Sequence, residues 1–236
     1  MGGTVLIINA NSNPDVTAGF EEAVGPLLTV GSPKVIYRTL EGAPFGITTQ
    51  EHVEAVTIPL RSVVVDRHDA DAFVIACFSD PGLAVCREAT KAAVFGIREC
   101  AVFNALSLAD TFGVVALGPS SIKRQTRAFR EMGVSSRWAG SEPLHMSVEA
   151  AEEPSAFPAI EKAGEQLLER GAESVILGCA GMVRHRAPLA ARLGVPVIDP
   201  VQAAAVQAIG HAMLAAANRA NGASLRAMAD AAAPPS

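Results

Sequence analysis

Two cysteines carry the strongest chemical signal in this sequence. Cys77 closes the apolar run DAFVIAC at 71–77, and Cys179 closes AESVILGC at 172–179, about a hundred residues later. Turn-forming residues follow each at once, FSDPG in one case and AGM in the other. A single buried cysteine is usually a small apolar filler. Two thiols at matching ends of two similar strands can instead form a pair across a cleft. Such a pair suits a carbon acid beside a carbonyl. One thiolate removes a proton from one face, and the opposite thiol delivers a proton to the other face of the planar carbanion. The enolate formed in between needs donors, which backbone N–H groups and small polar side chains supply. Helix starts just after the cysteines are expected to lower the thiol pKa.

The elements that would position these thiols alternate along the chain. Strands are read at 4–10, 34–40, 71–77, "AVFGI", 111–118, 134–140, 172–179 and 195–199. Helices are read at 17–30, 51–68 with a break at Pro59, 81–90, 98–109, 120–133, 156–171, a segment after Met182 broken at Pro188, and 200–220. Asp80 is read as the N-cap of the helix that opens at Pro81. The tail 230–236 is read as frayed. Strands alternating with helices predict an α/β fold with parallel sheets covered on both faces. The halves run in the same order, each with a polar loop after its first strand, NANSN at 9–13 and GPSS at 118–121. This predicts two similar lobes with parallel four-stranded sheets, related by a pseudo-twofold, with a site in the cleft between them. Residues 1–97 plus 201–236 form the first lobe in this reading, with the last helix folding back onto it, and 98–200 form the second. Ligands of open α/β sheets bind beyond the carboxyl ends of the strands. The polar loops and both cysteines collect there.

Composition removes several classes of function. The 236 residues are 50% hydrophobic and 18% charged, so a large core is available. The formal net charge is −5, and there is one Trp, one Tyr and no block of Lys/Arg, which argues against nucleic acid. No run is long, apolar and uncharged enough to span a membrane; 201–218 comes nearest and carries Gln202, Gln207 and His211. The start lacks a secretory signal and has Leu6 where a myristoylation signal needs a hydroxyl, so a cytoplasmic protein with reduced thiols is expected. There is no C-x-x-C and no ligand spacing of histidines, so no metal is expected. Nucleotide-binding glycine motifs are lacking, so no cofactor is signalled.

Other residues carry weaker signals. Cys86 and Cys100 lie inside predicted helices and read as packing. Gly82 and Gly181 would let backbone approach a ligand. His185 reads as a solvated helix residue and His145 as an exposed loop residue. Lys123, Arg124 and Arg127 read as a solvated helix face, from which one cation could reach a substrate carboxylate.

The motifs around the cysteines resemble those of the aspartate/glutamate/hydantoin racemase superfamily, and within it the hydantoin and allantoin racemases. CFSDPGL resembles Cys-Phe-Gly-Asp-Pro-Gly-Leu, LGCAGM matches the second motif, and IINANSN resembles the opening Ile-Asn-Pro-Asn loop. FGIRECA resembles the segment leading into the next helix, and the resemblance spans roughly 4–215. It implies racemisation without a cofactor by two bases, Cys77 and Cys179. It also implies substrate contacts from Asn11, Ser12 and Asn13, from Phe78 and Ser79, and from Ala180 and Gly181. Relatives often carry Thr-Thr at the end of the strand that here reads VVALGPSS. Ala116 and Leu117 stand in their place, and Ser120 and Ser121 are the expected substitutes. Ala10 replaces a proline and Ser79 a glycine. Homo-oligomers are common among such proteins, so one is expected, with a small molecule as partner.

Other readings share this scaffold. An amino-acid racemase would keep both cysteines, a malonate-type decarboxylase needs one, and a maleate-type isomerase would use one as nucleophile. A redox sensor or small-molecule-binding protein would instead join the two thiols in a reversible disulfide.

Overall fold

Four strands are apolar on both faces and form the centre of the molecule. They are the central pairs of two parallel sheets. In chain order the elements are β1 (Thr4–Asn9), α1 (Pro14–Val24), β2 (Lys34–Thr39), α2 (Gln50–Ala55), α3 (Thr57–Asp66), β3 (Ala72–Ala76), α4 (Leu83–Ala89), β4 (Ala93–Gly96) and α5 (Ile97–Leu108). The second half follows with β5 (Phe112–Ala116), α6 (Pro119–Glu131), β6 (Trp138–Pro143), α7 (Val148–Glu152), α8 (Phe157–Glu169), β7 (Ser174–Leu177), α9 (Arg186–Leu193), β8 (Val197–Ile198) and α10 (Pro200–Ala231). The computed structural model describes residues 3–231, with side chains described through residue 221.

The sheets have orders β2-β1-β3-β4 and β6-β5-β7-β8, and every strand pair is parallel. The second order repeats the first. In each sheet the chain moves to one side of the first strand and then crosses back to the other. A crevice therefore opens between β1 and β3, and another between β5 and β7.

Three apolar clusters fill the layers. Leu6, Ile8, Phe73 and Ile75 pack with Leu60, Val63 and Val64 of α3 and Cys86 of α4. The opposite face of the first sheet, with Val5, Ile7 and Val74, meets Phe20 of α1 and Val201, Ala204 and Ala208 of α10, and the cluster continues to Val115, Val175 and Leu177 of the second sheet. The last face, with Phe112, Val114 and Ile176, packs on Ala101, Val102 and Ala105 of α5 and Phe129 of α6. The buried positions of α10, Val201, Ala204, Ala205, Ala208, Ile209 and Ala212, recur with helical spacing. The alanines allow a close approach to α5 and the first sheet, which α10 covers. Burying Val201 and Ile209 contributes about 1.5–3 kcal/mol each.

Several expected boundaries move for identifiable reasons. Neither Pro59 nor Pro188 breaks a helix. Each sits in the first turn, of α3 and α9, where a missing N–H is not needed, and the breaks fall before them. The helix expected from Thr17 begins at Pro14, because the Asn13 side chain accepts the Asp15 N–H and caps it. The strand expected at 134–140 is β6, at 138–143, after a single turn at Ser135–Arg137. The short α7 was not anticipated. No α-helix starts directly after either cysteine: α4 begins six residues after Cys77, and a 3-10 segment, Ala180–His185, follows Cys179. The final helix runs past 220 to Ala231, so residues 230–231 of the tail expected to fray are helical, and 232–236 lie outside the described residues. Among the described residues, no helix is long and apolar enough to cross a membrane.

Candidate active site

The loop after β1 is organised by an amide that stands at the end of an apolar strand. Asn9 is fully buried. Its Nδ2 lies 2.9 Å from Asn11 Oδ1, 2.9 Å from the Asn13 carbonyl and 3.0 Å from Thr17 Oγ1, while its Oδ1 accepts the Asn11 N–H. Asn11 Oδ1 also accepts the Asn13 N–H. These bonds satisfy buried polar groups that would otherwise be costly, and they fold the loop so that Asn11 lines the cleft. Asn9 pairs in register with Ala76 of β3, which places this loop beside Cys77.

The turn after β3 is pinned from behind. Asp80 adopts φ +45 and Gly82 φ +66, a left-handed pair that Asp and Gly accept more readily than other residues. Asp80 does not cap α4. Its carboxylate reaches across to the start of α5, where it accepts the N–H groups of Arg98 and Glu99 at 3.0 Å each. Arg98 closes the arrangement, with Nη1 donating to the Ser79 carbonyl and Nε 3.6 Å from Asp80 Oδ2. Cys77 is thus held at the strand end with its sulfur in the cleft wall.

The turn after β7 is backed by α7. A Cβ at Gly181 would lie 2.5 Å from Glu152 Oε1 and 2.6 Å from its Cγ, so a side chain there requires Glu152 to shift. That oxygen is buried and has no hydrogen-bond partner among the described residues. Burial pushes the Glu152 carboxyl up to about 7. His185 is buried rather than solvated, with Nε2 3.1 Å from the Ala151 carbonyl, and burial pulls its pKa down. It ties the segment after Cys179 to α7.

Both cysteines line one cleft. Asn11, Phe78, Ser79, Ser121, Ala180 and Gly181 share its wall, together with apolar side chains that include Val16, Ile47, Leu117 and Val148. One charged residue faces it. Arg124 of α6 reaches from the second half to the first, where Nε donates to Ser79 Oγ and Nη1 to the Thr48 carbonyl. Burial pushes the Cys77 thiol up. The Ser79 N–H and the Arg124 and Arg98 guanidiniums work against that rise, and Asp80 adds to it. Cys179 is pushed up to about 12, chiefly by burial. The Gly181 N–H favours its thiolate, whereas Cys77, Glu152 and Asp199 disfavour it. The lowered thiol pKa expected from helix starts is therefore not found, because desolvation outweighs the N–H groups.

Residues 5–208 match the family described as Asp/Glu/Hydantoin racemase. The chain belongs to that family, and so is an enzyme of the isomerase class. It is 34% identical to the hydantoin racemase of Paenarthrobacter aurescens over 213 residues, covering 85% of this chain and 87% of that one. It is 31% identical to the hydantoin racemase of Pseudomonas sp. (strain NS671), covering 84% and 82%. The solved allantoin racemase from Klebsiella pneumoniae superposes with a TM-score of 0.85 at 25% identity, covering 90% of this chain and 89% of that one.

Within this racemase scaffold the residues expected at the site divide. The eight just described, counting the cysteines, line the cleft. Ser12, Asn13 and Ser120 do not: Asn13 is spent on capping α1, and Ser120 is exposed on the first turn of α6. Of the pair that replaces Thr-Thr, Leu117 lines the cleft and Ala116 is buried behind it. Arg124, expected on a solvated helix face, is buried. Its signal was an α6 face on which Arg124, Gln125 and Ala128 alternate with exposed residues at helical spacing. Asn9 had a signal too, as the polar residue that ends an otherwise apolar strand. Cys86 and Cys100 are packed in the core, and His145 is exposed, as expected. No cluster with metal-ligand character occurs among the described residues.

Proposed function

We propose that this protein racemises a 5-monosubstituted hydantoin, or allantoin, by proton transfer between Cys77 and Cys179. The observation that carries the reading is the presence of two free thiols in the wall of one cleft, each delivered by the β3-type strand of one sheet. The similarity to named hydantoin racemases supports the substrate class.

The steps balance within the protein. A cysteine thiolate takes the proton on the carbon beside the carbonyl and becomes a thiol, and the substrate becomes a planar enolate. The opposite thiol protonates the other face and becomes a thiolate. The product is the mirror image, and the protonation of the pair is reversed. Burial raises both thiols; Arg124 and Arg98 favour the Cys77 thiolate against Asp80, while Glu152 and Asp199 disfavour that of Cys179. The Asn11 amide, held by Asn9, is suited to orient the ring carbonyl or N–H. The apolar wall excludes water and strengthens these interactions. This route needs no cofactor.

The test is proton exchange in deuterated buffer with each enantiomer of benzylhydantoin and of allantoin. Loss of the proton at the stereocentre, followed by NMR, should match loss of optical activity in the unaltered protein, and the loss of optical activity should vanish in Cys77→Ser and in Cys179→Ser. No exchange above the uncatalysed rate with any of these compounds would overturn the reading.

A further inference from the structure

A buried cation in the cleft wall lacks a counter-ion. Arg124 is 8% exposed. Its guanidinium meets only neutral acceptors: Ser79 Oγ at 3.2 Å, the Thr48 carbonyl at 3.0 Å and Ser121 Oγ at 3.3 Å. These use three of its five N–H donors. None of the ion pairs among the described residues includes it. A charge desolvated in this way is costly unless something neutralises it. Cys77 is not a standing counter-ion, because burial favours its neutral thiol.

The approach to Arg124 points the same way. A second hollow, lined by Thr49, Gln50, Ser120, Lys123, Arg124 and Arg127, shares Arg124 with the cleft. Three cations and no carboxylate line it. In a chain of net charge −5 this is a local reversal of sign that would concentrate small anions. Arg127 is anchored there by Gln50 Oε1 at 2.6 Å, and Gln50 in turn donates to Glu54. No other charged residue lines the cleft, so a charge on the ligand would be recognised chiefly at Arg124.

We propose that Arg124 anchors an anionic substituent, so that the cleft selects carbon acids carrying a carboxylate away from the reacting centre. For the reaction, this rests on the racemase reading above; the binding preference does not. The matched probes are the glutamate-derived hydantoin, with a carboxyethyl group, and the glutamine-derived hydantoin, its neutral amide of the same shape. Titration calorimetry with racemic ligands reads affinity whether or not turnover occurs. The carboxylate should bind roughly tenfold or more tightly than the amide. That ratio should fall toward one in Arg124→Gln, stay partly above one in Arg124→Lys, and shrink as ionic strength rises. Equal affinities in the unaltered protein would overturn the proposal without any variant, and so would a preference that survives Arg124→Gln. Proton exchange on benzylhydantoin, run in parallel, separates the two claims. Exchange without a charge preference removes only the anchor. A charge preference without exchange on any hydantoin removes only the reaction and keeps the anchor.

Discussion

The turn after β3 and the turn after β7 present the same group with different neighbours. In each, the N–H two residues beyond the cysteine, of Ser79 or Gly181, favours the thiolate. Beyond that the halves diverge. Around Cys77 stand two guanidiniums, one sent across the cleft from α6, and one carboxylate already committed to capping α5. Around Cys179 stand the Glu152 and Asp199 carboxylates, and its thiol is pushed up to about 12. A near-symmetric fold thus holds an electrostatically asymmetric pair. In the proposed transfer one thiol is charged when the other is not, and the guanidiniums and carboxylates bear differently on the two.

The largest effect that could break this comparison comes from the thiols themselves. Each serine variant should lower racemisation at least about a thousandfold. Proton exchange on one enantiomer should survive better in Cys179→Ser than in Cys77→Ser, because the base that remains is the one flanked by guanidiniums. NMR of the exchanging proton reads this directly, and the opposite order would invert the assignment.

Asp199 sharpens the acidic side. It is fully buried, its Oδ1 accepts the Gln202 N–H at 2.7 Å, its Oδ2 has no partner among the described residues, and burial pushes its carboxyl from 3.8 up to about 7. Between those values the folded protein holds a proton that the unfolded chain has released. Its contribution to stability is therefore full below the lower value and declines as pH rises, by at most about 1.4 kcal/mol per pH unit. Asparagine keeps the cap and removes the slope. Urea unfolding should show Asp199→Asn more stable than the unaltered protein by about 2–4 kcal/mol at alkaline pH, with no gain in acid. An unchanged midpoint at alkaline pH would mean that Asp199 ionises freely in the fold.

On the Cys77 side burial pushes the Asp80 carboxyl up as well, but its carboxylate accepts two backbone N–H groups, so its removal should destabilise. Asp80→Ala strands two N–H groups at the start of α5 and should cost about 2–3 kcal/mol in urea unfolding. Asp80→Asn, with one carbonyl acceptor retained, should cost less. If the two are equal, the backbone bonds are not what holds the turn.

The smallest expected effect is on thiol reactivity. Glu152→Gln removes an anion near Cys179, so its thiolate fraction and its rate of alkylation should rise a few-fold above pH about 7, where Glu152 is charged. Below that pH the variant and the unaltered protein should coincide. Cys77, the less buried of the two, should be alkylated faster than Cys179 throughout. Peptide mapping after limited alkylation distinguishes the two sites.

Much of this was legible in the residues. The apolar runs that became β1, β3, β5 and β7 are buried on both faces, so they lack the alternation of a half-exposed strand and stand out as continuous. Cys77 and Cys179 were legible because they end such runs in matching places. Pro59 and Pro188 were misread because a proline in a first helical turn and one in a helix interior look alike in sequence, and only the start of the helix separates them. Asp80 was misread for a related reason. A cap preceding proline is a local pattern, yet the N–H groups it satisfies lie some twenty residues further on, at α5.

The sequence by itself determined the parallel α/β architecture, its repetition, and the two thiols at the strand ends, because periodicity and strand-end position are local properties of the chain. Only the tertiary structure decided how those thiols ionise and what they face. Burial raised both, Arg124 crossed from α6 to Cys77, and Glu152 and Asp199 came to Cys179. Each of these depends on distances between segments far apart in sequence, and on the loss of water between them. Neither is written in any single stretch of residues.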